Sequence, residues 1–579
     1  MTDIASLRPL AAVMIPFVGI FAIIAARSRP NIREAATILT ALSTLAVIGS
    51  LVPAVLNGTV HVFRLGVFVP GIEIALRADA LGMLFALLAS LLWLITSFYS
   101  IGYMRGLDEH AQTRYFASFA ASVGTAVGVA FASNLIALYI FYELLTVATY
   151  PLVTHDETQT ARRAGRKYLA YTFGGGIAVL TGTAIVFWTT GSVTFTAGGI
   201  AALGTTDPVI ARAGFALLAG GFGVKAALIP VHSWLPDAMV APTPVSGLLH
   251  AVAVVKSGVF GIARTVLDVY GPATVGDLGV GIVLATVAGA TILIASIIAL
   301  RQDNLKRRLA YSTISQLSYI VLGLGLLSPA ALIGGLLHIP AHAFMKLTLF
   351  FCAGAIHVET HTDNISEMAG IGRRMPLTMA AFGVAALGMA GLPLVAGFVS
   401  KWYLLIGSVE SGGVGGVFAL VLLTSGILNI GYFWPVVYQA FFETQNNADS
   451  KPVIEFNMGG RTARTDGGTE SENSMTASPV SESNTNQPES PGSHAGSSNY
   501  AVDRHPSDHH AESADDASSH MEGTRAWKEP ALGNESTWFM LGPIAIAAFG
   551  AILIGILPAE MIFLRLINII VAGVTGVSL

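Results

Sequence analysis

The sequence is poor in cysteine and in charged residues, and each shortage excludes a class of protein. Its one cysteine, Cys352, lies in an apolar run of a 579-residue chain. A single thiol cannot build a disulfide framework, a cysteine zinc cluster or an iron–sulfur site within one chain, and a small buried apolar role is usual for such a residue. Charged residues make up 11% of the chain, against about 25% in soluble proteins. Most of the chain therefore avoids water.

Long apolar runs replace the missing charge. A transmembrane helix needs roughly 20 apolar residues, so hydropathy predicts an all-α, polytopic membrane protein with about fourteen spans. The first run has no basic segment before it, and we expect a retained span rather than a signal peptide. A last apolar stretch, 559–579, is expected to lie along the membrane surface. The expected cores are residues 8–26, 33–56, 77–103, 113–131, 133–153, 164–189, 208–231, 242–268, 277–300, 306–327, 331–355, 375–407, 413–441 and 537–557.

Basic residues are unevenly shared among the predicted loops. Odd-numbered loops hold Arg27, Arg29, Arg33, Arg105, Arg114, Arg162, Arg163, Arg166, Lys167, Arg301, Lys306, Arg307, Arg308, Arg373 and Arg374. Even-numbered loops hold only Arg64, Arg77, Arg212 and Arg264. Because positive residues stay on the cytoplasmic side, we expect the odd loops in the cytoplasm of a cell-membrane protein and both termini outside.

The segment 443–536 differs in kind. It is polar, acidic and rich in serine, asparagine and glycine, so it cannot bury enough apolar surface to offset the entropy of ordering. We predict a disordered cytoplasmic insertion. Its histidines suggest a metal-binding tract, but no ligand spacing repeats, and the sequence favours a solvated linker without metal or cofactor. These histidines are His494, His505, His509, His510 and His520.

Ionisable residues within the spans carry the functional information. A charge at a helix centre costs roughly 2.5–3.5 kcal/mol on insertion scales and usually marks function. Glu143 lies near the middle of the fifth span, and Lys225 lies deep in the seventh. Pro230 is predicted to break the seventh helix, and His232 follows that break. Discontinuous helices beside ionisable groups are typical of transport sites.

Further titratable residues follow in later spans. The eighth span contributes His250 and Lys256. The eleventh places three groups four residues apart, on one helical stripe about 12 Å long: His338, His342 and Lys346. Pro340 is expected to open that helix locally. A lone histidine is more often a satisfied core residue, but two histidines and a lysine in register favour a proton pathway.

The twelfth span repeats the pattern of the seventh in reversed order. Pro393 and several glycines predict a break, and Lys401 follows it. Paired interrupted segments in two halves indicate an inverted repeat. The similarity in letters is too weak to establish the repeat by itself.

Together these segments resemble the antiporter-like subunits shared by Mrp-type sodium/proton antiporters, respiratory complex I and membrane-bound hydrogenases. The resemblance covers roughly residues 81–442. It implies fourteen helices, two inverted five-helix repeats (helices 4–8 and 9–13) and breaks in helices 7 and 12. The matching stretches are KAALIPVHSWLPDAMVAPTPVSGLLHAVAVVKSG, DNLKRRLAYSTISQLSYI, AHAFMKLTLFFCAG and GLPLVAGFVSKW.

The resemblance also implies a division of the chain. Helices 1–3 would occupy 1–112, the first half-channel 113–268 and the second half-channel 275–442. The acidic insertion would follow at 443–536, and helix 14 with a terminal interfacial segment at 537–579.

The resemblance assigns roles to the buried residues. Glu143 and Lys225 would form the ion pair of the first half-channel, while His250 and Lys256 would link the halves. Lys401 would be the terminal residue of the second half-channel. Lys306 also lies in a matching stretch, but its position near the interface leaves its role open. The line of charged and polar residues along the middle of the membrane would continue through His338, His342 and Lys346.

The leading hypothesis is a proton-translocating subunit of a multisubunit monovalent cation (Na+)/proton antiporter. Its partners would be other membrane subunits, protons, Na+ and the lipid bilayer, with no nucleic acid and no cofactor. An alternative is the same module in a redox-driven complex, a complex I-like NADH/quinone oxidoreductase or a membrane-bound hydrogenase, so its place within an enzyme stays open. A third class is a haem-bearing electron-transfer subunit; His338 and His342 share one helix, which speaks against it.

Overall fold

Most of the apolar runs fold as helices in the computed structural model, which describes residues 2–443, 454–457, 460–463, 530 and 532–577. The N-terminal region begins with strand β1 and helices α1 to α3, continues into a hairpin of β2 and β3, and ends with the long helix α4. These elements are β1 (Thr2–Ala5), α1 (Arg8–Ala25), α2 (Pro30–Gly49), α3 (Val52–Leu56), β2 (Thr59–Val69), β3 (Ile72–Ala78) and α4 (Ala80–Gly106).

Two successive groups of helices follow. The first comprises α5 (Gln112–Phe131), α6 (Leu135–Val153), α7 (Gln159–Thr190), α8 (Pro208–Lys225), α9 (Trp234–Asp237), α10 (Thr243–Ala251), α11 (Val254–Arg264) and α12 (Gly271–Asp277). The second comprises α13 (Val280–Leu300), α14 (Leu305–Leu326), α15 (Pro329–Thr360), α16 (Ile371–Arg374), α17 (Pro376–Ala390), α18 (Ala396–Glu410) and α19 (Gly415–Phe442). The chain continues with β4 (Ile454–Asn457), β5 (Gly460–Ala463), α20 (Trp538–Ile556) and α21 (Ile562–Thr575).

The two groups repeat one pattern of helices and caps. Each has a 32-residue third helix, α7 or α15, followed by a broken helix. Both second helices begin at a capping asparagine, Asn134 or Asn304, whose side chain accepts a backbone N–H bond. Both third helices begin at a capping hydroxyl, Thr158 or Ser328. Each of these residues of the second group lies 170 positions after its counterpart, so the repeat is internal to the fold.

The two groups have opposite orientations. Asn134 forms a β-bridge with Thr194 beside the hairpin, and its counterpart Asn304 forms the equivalent bridge with Asn364. Asn134 donates to the Glu73 carbonyl of β3 at 2.5 Å. The start of α14 instead lines a cavity with Lys167 and Asp237, residues from the other end of the first group. The prediction of two inverted five-helix repeats is therefore confirmed.

The number of spans agrees with the fourteen predicted. By length and composition, twelve helical segments of the described residues can cross a membrane. The other two predicted spans are occupied by α5 and by the α17–α18 pair. The terminal helix α21 has 14 residues, or about 21 Å at the α-helical rise, which is shorter than a hydrocarbon core. Its position along the membrane surface stays a prediction.

The strands were not predicted. In the described chain β1 pairs in parallel with β2, and β2 pairs antiparallel with β3, from His61 opposite Ala78 to Val69 opposite Ile72. The turn falls at Pro70–Gly71, and Gly71 has φ +87°. Alternating residues on either side of a proline–glycine pair were the available signal. The sheet covers one end of the helices, called here the hairpin face.

The opposite end gathers the loops predicted to be cytoplasmic, and we call it the basic face. Its loops are 26–29, 107–111, 154–158, 301–304 and 361–370. Side chains connect the helix ends around these loops: Arg105 to Glu34, Arg33 to Gln112 and Arg114 to the His155 carbonyl, while His357 bonds Asp363 after α15. The uneven sharing of basic residues thus corresponds to two real faces.

The helix breaks differ in detail from the prediction. The seventh predicted span begins with α8, and the twelfth comprises α17 and α18. Both are broken, as expected, and Pro393 lies in the gap between α17 and α18. Helix 7 already ends at Lys225, five residues before Pro230, so Pro230 follows the break rather than causing it. An unpredicted break separates α10 from α11 at Val252 and Ala253. The expected opening at Pro340 is wrong, because α15 continues through it.

The predicted insertion 443–536 lies mostly outside the described residues. Its described parts include β4 and β5, which pair antiparallel, and the segment leading into α20. There Glu535 accepts bonds from the N–H groups of Leu377 and Thr378, and Ser536 donates to Glu359 at 2.9 Å. Disorder is therefore the wrong prediction for Glu535 and Ser536, which hold the start of α17 and the end of α15.

Candidate functional site

Six of the predicted site residues have no exposed surface. They are Lys225, His250, Lys256, His338, His342 and Lys346. All but Lys225 lie on the segments Thr243–Val269 and Pro329–Thr360, whose most apolar stretches are entirely buried. Because burying an unpaired charge is very costly, the partners of these groups decide what the site does.

Lys256 and His342 meet between the two repeats. The ammonium nitrogen Nζ of Lys256 lies 2.6 Å from Nδ1 of His342. Lys256 stands in the first turn of α11, directly after the break from α10, and His342 stands near the middle of α15. The other ring nitrogen of His342, Nε2, has no hydrogen-bond partner among the described residues. The contact joins the two halves through one hydrogen bond between two titratable side chains.

His338 is satisfied on both sides of its ring. Nε2 lies 2.9 Å from Gln316 Oε1, which can only accept, and Nδ1 lies 2.8 Å from the Ser400 hydroxyl. In neutral His338 the hydroxyl donates to Nδ1. In the protonated ring Nδ1–H donates to the hydroxyl oxygen, and Ser400 can turn its proton to the Gly397 carbonyl at 3.2 Å. His338 can therefore gain a proton without leaving a polar group unpaired.

Tyr319 joins His338 to Lys401. The rings of Tyr319 and His338 stack with centroids 5.3 Å apart, and Lys401 Nζ lies 4.9 Å from the Tyr319 ring centroid. Lys401 donates to the Met389 carbonyl, which belongs to the last turn of α17. The break in helix 12 thus supplies a free carbonyl for a lysine, as expected of a half-helix terminus. His342 lies one helical turn from His338, with ring centroids 6.0 Å apart, so a series of neighbouring side chains runs from Lys256 to Lys401.

Lys346 has its own partners one turn further along α15. Its ammonium donates to the Ser312 hydroxyl on α14 and lies 5.5 Å from the Phe433 ring centroid on α19. Nearby, a buried network crosses α13, α14 and α19. It consists of Ser296, Ser315, Gln316, Ser425, Asn429 and Tyr432.

The first half is arranged differently. Lys225 ends α8 and donates to the carbonyl of Tyr142, with Nζ 3.4 Å from that ring's centroid. The next residue, Glu143, has both carboxylate oxygens buried without a hydrogen-bond partner among the described residues. Within those residues no ion pair closer than 4 Å joins Glu143 to Lys225. The expected ion pair is absent here because a backbone carbonyl satisfies the lysine.

Glu143 instead faces α7. A Cβ atom placed on Gly176 would lie 2.7 Å from the carboxyl carbon of Glu143, which is closer than carbon atoms pack. Glycine at this position leaves room for the carboxylate, which would have to move aside for a larger residue. The residue 170 positions after Gly176 is Lys346, whose side chain faces α14. The equivalent helix pairs are α6–α7 and α14–α15. The first half carries its charge on α6, the first helix of its pair, whereas the second half carries it on α15, the second helix of its pair.

No hydrogen bond or ring contact among the described residues joins the remaining predicted residues to the Lys256–Lys401 series. His250, at the end of α10, packs on Phe350 with centroids 4.9 Å apart, and neither ring nitrogen has a described partner. His232 is half-buried beyond the helix 7 break, with its ring centroid 6.4 Å from that of Tyr311. Lys306 lies on the basic face.

Lys306 lines a cavity of about 600 Å³ on the basic face, with Lys167, Asp237 and Asp363 among its other lining residues. Asp237 accepts a bond from Lys167 at 2.7 Å. Burial by itself would raise the pKa of Asp363, but its hydrogen bond with His357 and the charge of Lys306 outweigh burial, and the pKa is lowered. The cavity is a charged vestibule separate from the buried series.

Sequence reasoning missed the uncharged members of the site. Tyr319, Gln316, Ser400 and Tyr142 hold or connect the charged groups, yet only ionisable residues were singled out. Gln316 and Tyr319 do stand in one of the matching stretches, DNLKRRLAYSTISQLSYI. A polar side chain inside an apolar span was the available signal.

The fold and the site define a multi-pass membrane protein in which two inverted repeats surround a line of buried titratable side chains. Residues 132–427, just over half of the chain, match the family described as NADH:quinone oxidoreductase/Mrp antiporter, transmembrane. The chain belongs to this family.

Two curated relatives represent the two branches of the family. The chain is 35% identical over 376 residues to NADH-quinone oxidoreductase subunit N of Desulforudis audaxviator, covering 64% of this chain and 73% of that protein. It is 33% identical over 411 residues to a probable K(+)/H(+) antiporter subunit of Rhizobium meliloti, covering 69% of this chain but 40% of that protein. The match therefore concerns the shared membrane module.

Two solved structures share the fold. A chain of the Mrp complex from Dietzia sp. superposes with a TM-score of 0.75 at 20% identity, covering 98% of both chains. A chain of the archaeal membrane-bound sulfane sulfur reductase gives a TM-score of 0.68 at 23% identity, covering 76% of this chain and 88% of the other. At these identities the likeness concerns fold.

Proposed function

We propose that this chain is the proton-translocating subunit of a multisubunit monovalent cation/proton antiporter in the cell membrane. The observation that carries the proposal is the contact series Lys256–His342–His338–Tyr319–Lys401, which crosses from the first repeat to the far side of the second. Buried titratable side chains in such a series are typical of proton relays.

The geometry suits proton transfer at two points. Lys256 and His342 are close enough to share one proton, so the charge can move between them without a second buried charge appearing. His338 keeps full hydrogen bonding in both protonation states through rotation of the Ser400 hydroxyl. Glu143 and Lys225 would gate the first half: Lys225 is held by a carbonyl, and movement toward the unpartnered carboxylate of Glu143 would strengthen its hold on a proton.

The relatives support the antiporter and name possible cargoes. One is called a K(+)/H(+) antiporter subunit, and the Mrp complex superposes over nearly the whole chain. Partners would be the other membrane subunits of such an assembly. The basic face would lie in the cytoplasm, together with 443–536.

A redox-driven complex is the second candidate, supported by the relative named NADH-quinone oxidoreductase subunit N. There the same buried series would move protons in response to electron transfer in partner subunits.

The test uses vesicles from antiporter-deficient cells that express this chain together with its partner subunits. Addition of Na+ or K+ should collapse an imposed pH gradient, and Lys401→Ala should lower that rate by about tenfold or more at normal membrane levels, as expected for loss of a proton-transfer group. Co-purified partners identify the branch: small antiporter subunits support the proposal. Co-purification of a dehydrogenase arm, with NADH-driven and cation-independent proton uptake, would contradict the antiporter proposal and support the redox-driven complex.

A further inference from the structure

A group of potential metal ligands lies on the basic face, away from the buried series. Glu109 and His110 follow α4, and His155 follows α6. One ligand atom from each residue lies within 4.8 Å of the other two. No sequence pattern connects these two loops, which are separated by α5 and α6, and the histidines considered as ligands were those of the insertion.

His155 is the strongest sign of a ligand site. Its side chain is fully buried, and neither ring nitrogen forms a hydrogen bond within the described residues. Its Nε2 points to the Glu109 carboxylate, with Oε2 at 3.8 Å. The backbone of His110 lies near the His155 ring but forms no hydrogen bond of ordinary geometry with it. A buried imidazole without well-formed hydrogen bonds is costly, and a bound cation would satisfy Nε2.

His110 completes the group from the solvent side. Its Nδ1 lies 3.7 Å from the same Glu109 oxygen, and its ring stacks on that of His155 with centroids 4.8 Å apart. The His110 side chain is 51% exposed and that of Glu109 20%. An ion can therefore reach the group from water, and His155 would be its innermost ligand.

The charges around the group suit a cation. Asp156 and Glu109 are close enough for like-charge repulsion, which a cation would relieve. Arg114 is the nearest guanidinium, but it is paired with Glu157 and bonded to the His155 carbonyl. His357 and Lys306 are two further basic groups near Glu109; His357 is bonded to Asp363, and Lys306 lines the cavity already described.

We propose that Glu109, His110 and His155 bind one divalent transition-metal ion, with Zn2+ as the best fit. Two imidazoles and a carboxylate form a common zinc donor set, with water as the fourth ligand. Mg2+ and Ca2+ prefer oxygen donors. Zinc–nitrogen bonds of about 2.0–2.1 Å place tetrahedral ligands about 3.4 Å apart. The two distances to Glu109, 3.7 and 3.8 Å, need only a small contraction, and rotation of the exposed His110 would bring the two imidazoles, now within 4.8 Å of each other, into place. The ion would tie the loop after α4 to the loop after α6.

The test is metal binding by the full-length protein, purified and stripped with chelator. Because the five histidines of 443–536 are themselves candidate metal ligands, the experiments use a parent in which all five are replaced by asparagine. We expect one equivalent of Zn2+ by elemental analysis, and Co2+ should give absorption bands typical of a tetrahedral site that added Zn2+ removes.

His110→Ala changes an exposed side chain, and Glu109→Gln keeps the shape of a partly exposed one, so folding should persist. Each should weaken Zn2+ binding by about tenfold or more, because loss even of an outer-shell partner of a ligand costs about 10–100-fold in metal affinity. His61→Ala, on the hairpin face, is the matched control and should bind as the parent does. Parent-like binding in Glu109→Gln and His110→Ala, or no binding by the parent, would overturn the proposal.

Discussion

The side chains of Lys256 and His342 meet at 2.6 Å where the last spanning helix of the first repeat packs on the long helix of the second. The unpredicted break between α10 and α11 places Lys256 in a first helical turn, beside the middle of α15. This contact is the junction of the two halves. If it carries the proton, removing either member should stop transport.

Lys256→Ala and His342→Ala should each reduce cation-driven proton flux by about tenfold or more, and the double variant should be no worse than either, because residues acting as a unit are strongly non-additive. Proton flux in vesicles, normalised to membrane levels of the complex, measures this. Losses that multiply would show that the two residues act separately.

Ser400→Ala should slow transport while leaving folding intact. The variant removes the hydroxyl that lets His338 exchange a proton at Nδ1 without losing a hydrogen bond. Ser408→Ala is the control, because Ser408 is equally buried on the same helix and bonds only to the Leu404 carbonyl. We expect Ser400→Ala alone to lower flux, by about tenfold; equal rates in both variants would contradict the role of His338.

Gly176→Ala should impair transport through Glu143. The added methyl would occupy the space of the carboxylate and displace it from α7. Gly174→Ala lies two residues earlier on the same helix, where a Cβ has nothing within 4 Å. Flux assays should show a loss for Gly176→Ala and none for Gly174→Ala. Normal flux in Gly176→Ala would mean that the position of Glu143 does not matter.

Glu535→Ala should destabilise the protein. The carboxylate accepts three hydrogen bonds at the start of α17, from Leu377 N–H, Thr378 N–H and the Thr378 hydroxyl. Loss of such a cap costs about 1–2 kcal/mol, which should lower the thermal midpoint of the detergent-purified protein. Glu560→Ala, at an exposed carboxylate, should leave the midpoint unchanged. Equal midpoints would show that the cap is not needed.

Single cysteines should report the orientation. The native Cys352 is buried and donates to the Thr378 carbonyl, so its background labelling should be low. A membrane-impermeant thiol reagent added to intact cells should label Phe68→Cys on the hairpin face but not Arg307→Cys on the basic face. Permeabilised cells should label both. The reverse result would invert the proposed topology.

The spans, the breaks in helices 7 and 12 and most ionisable site residues were predictable from the sequence. Each has a local signal: a bilayer demands about 20 apolar residues per helix, prolines and glycines lie near the two breaks although Pro230 follows its break, and a charge inside an apolar run is costly unless it has a function. The expected orientation of the loops likewise follows from where Arg105, Arg163 and Arg307 fall along the chain.

The tertiary structure alone decided which of those residues meet. Lys256 pairs with His342, while Lys225 takes the Tyr142 carbonyl instead of Glu143, because helix rotation and depth set each contact. The rotation and depth of each helix depend on its packing against helices far apart in sequence. The same holds for Tyr319 between His338 and Lys401, and for the cluster of Glu109, His110 and His155. A periodic pattern fixes the face of one helix, but a contact requires the positions of two.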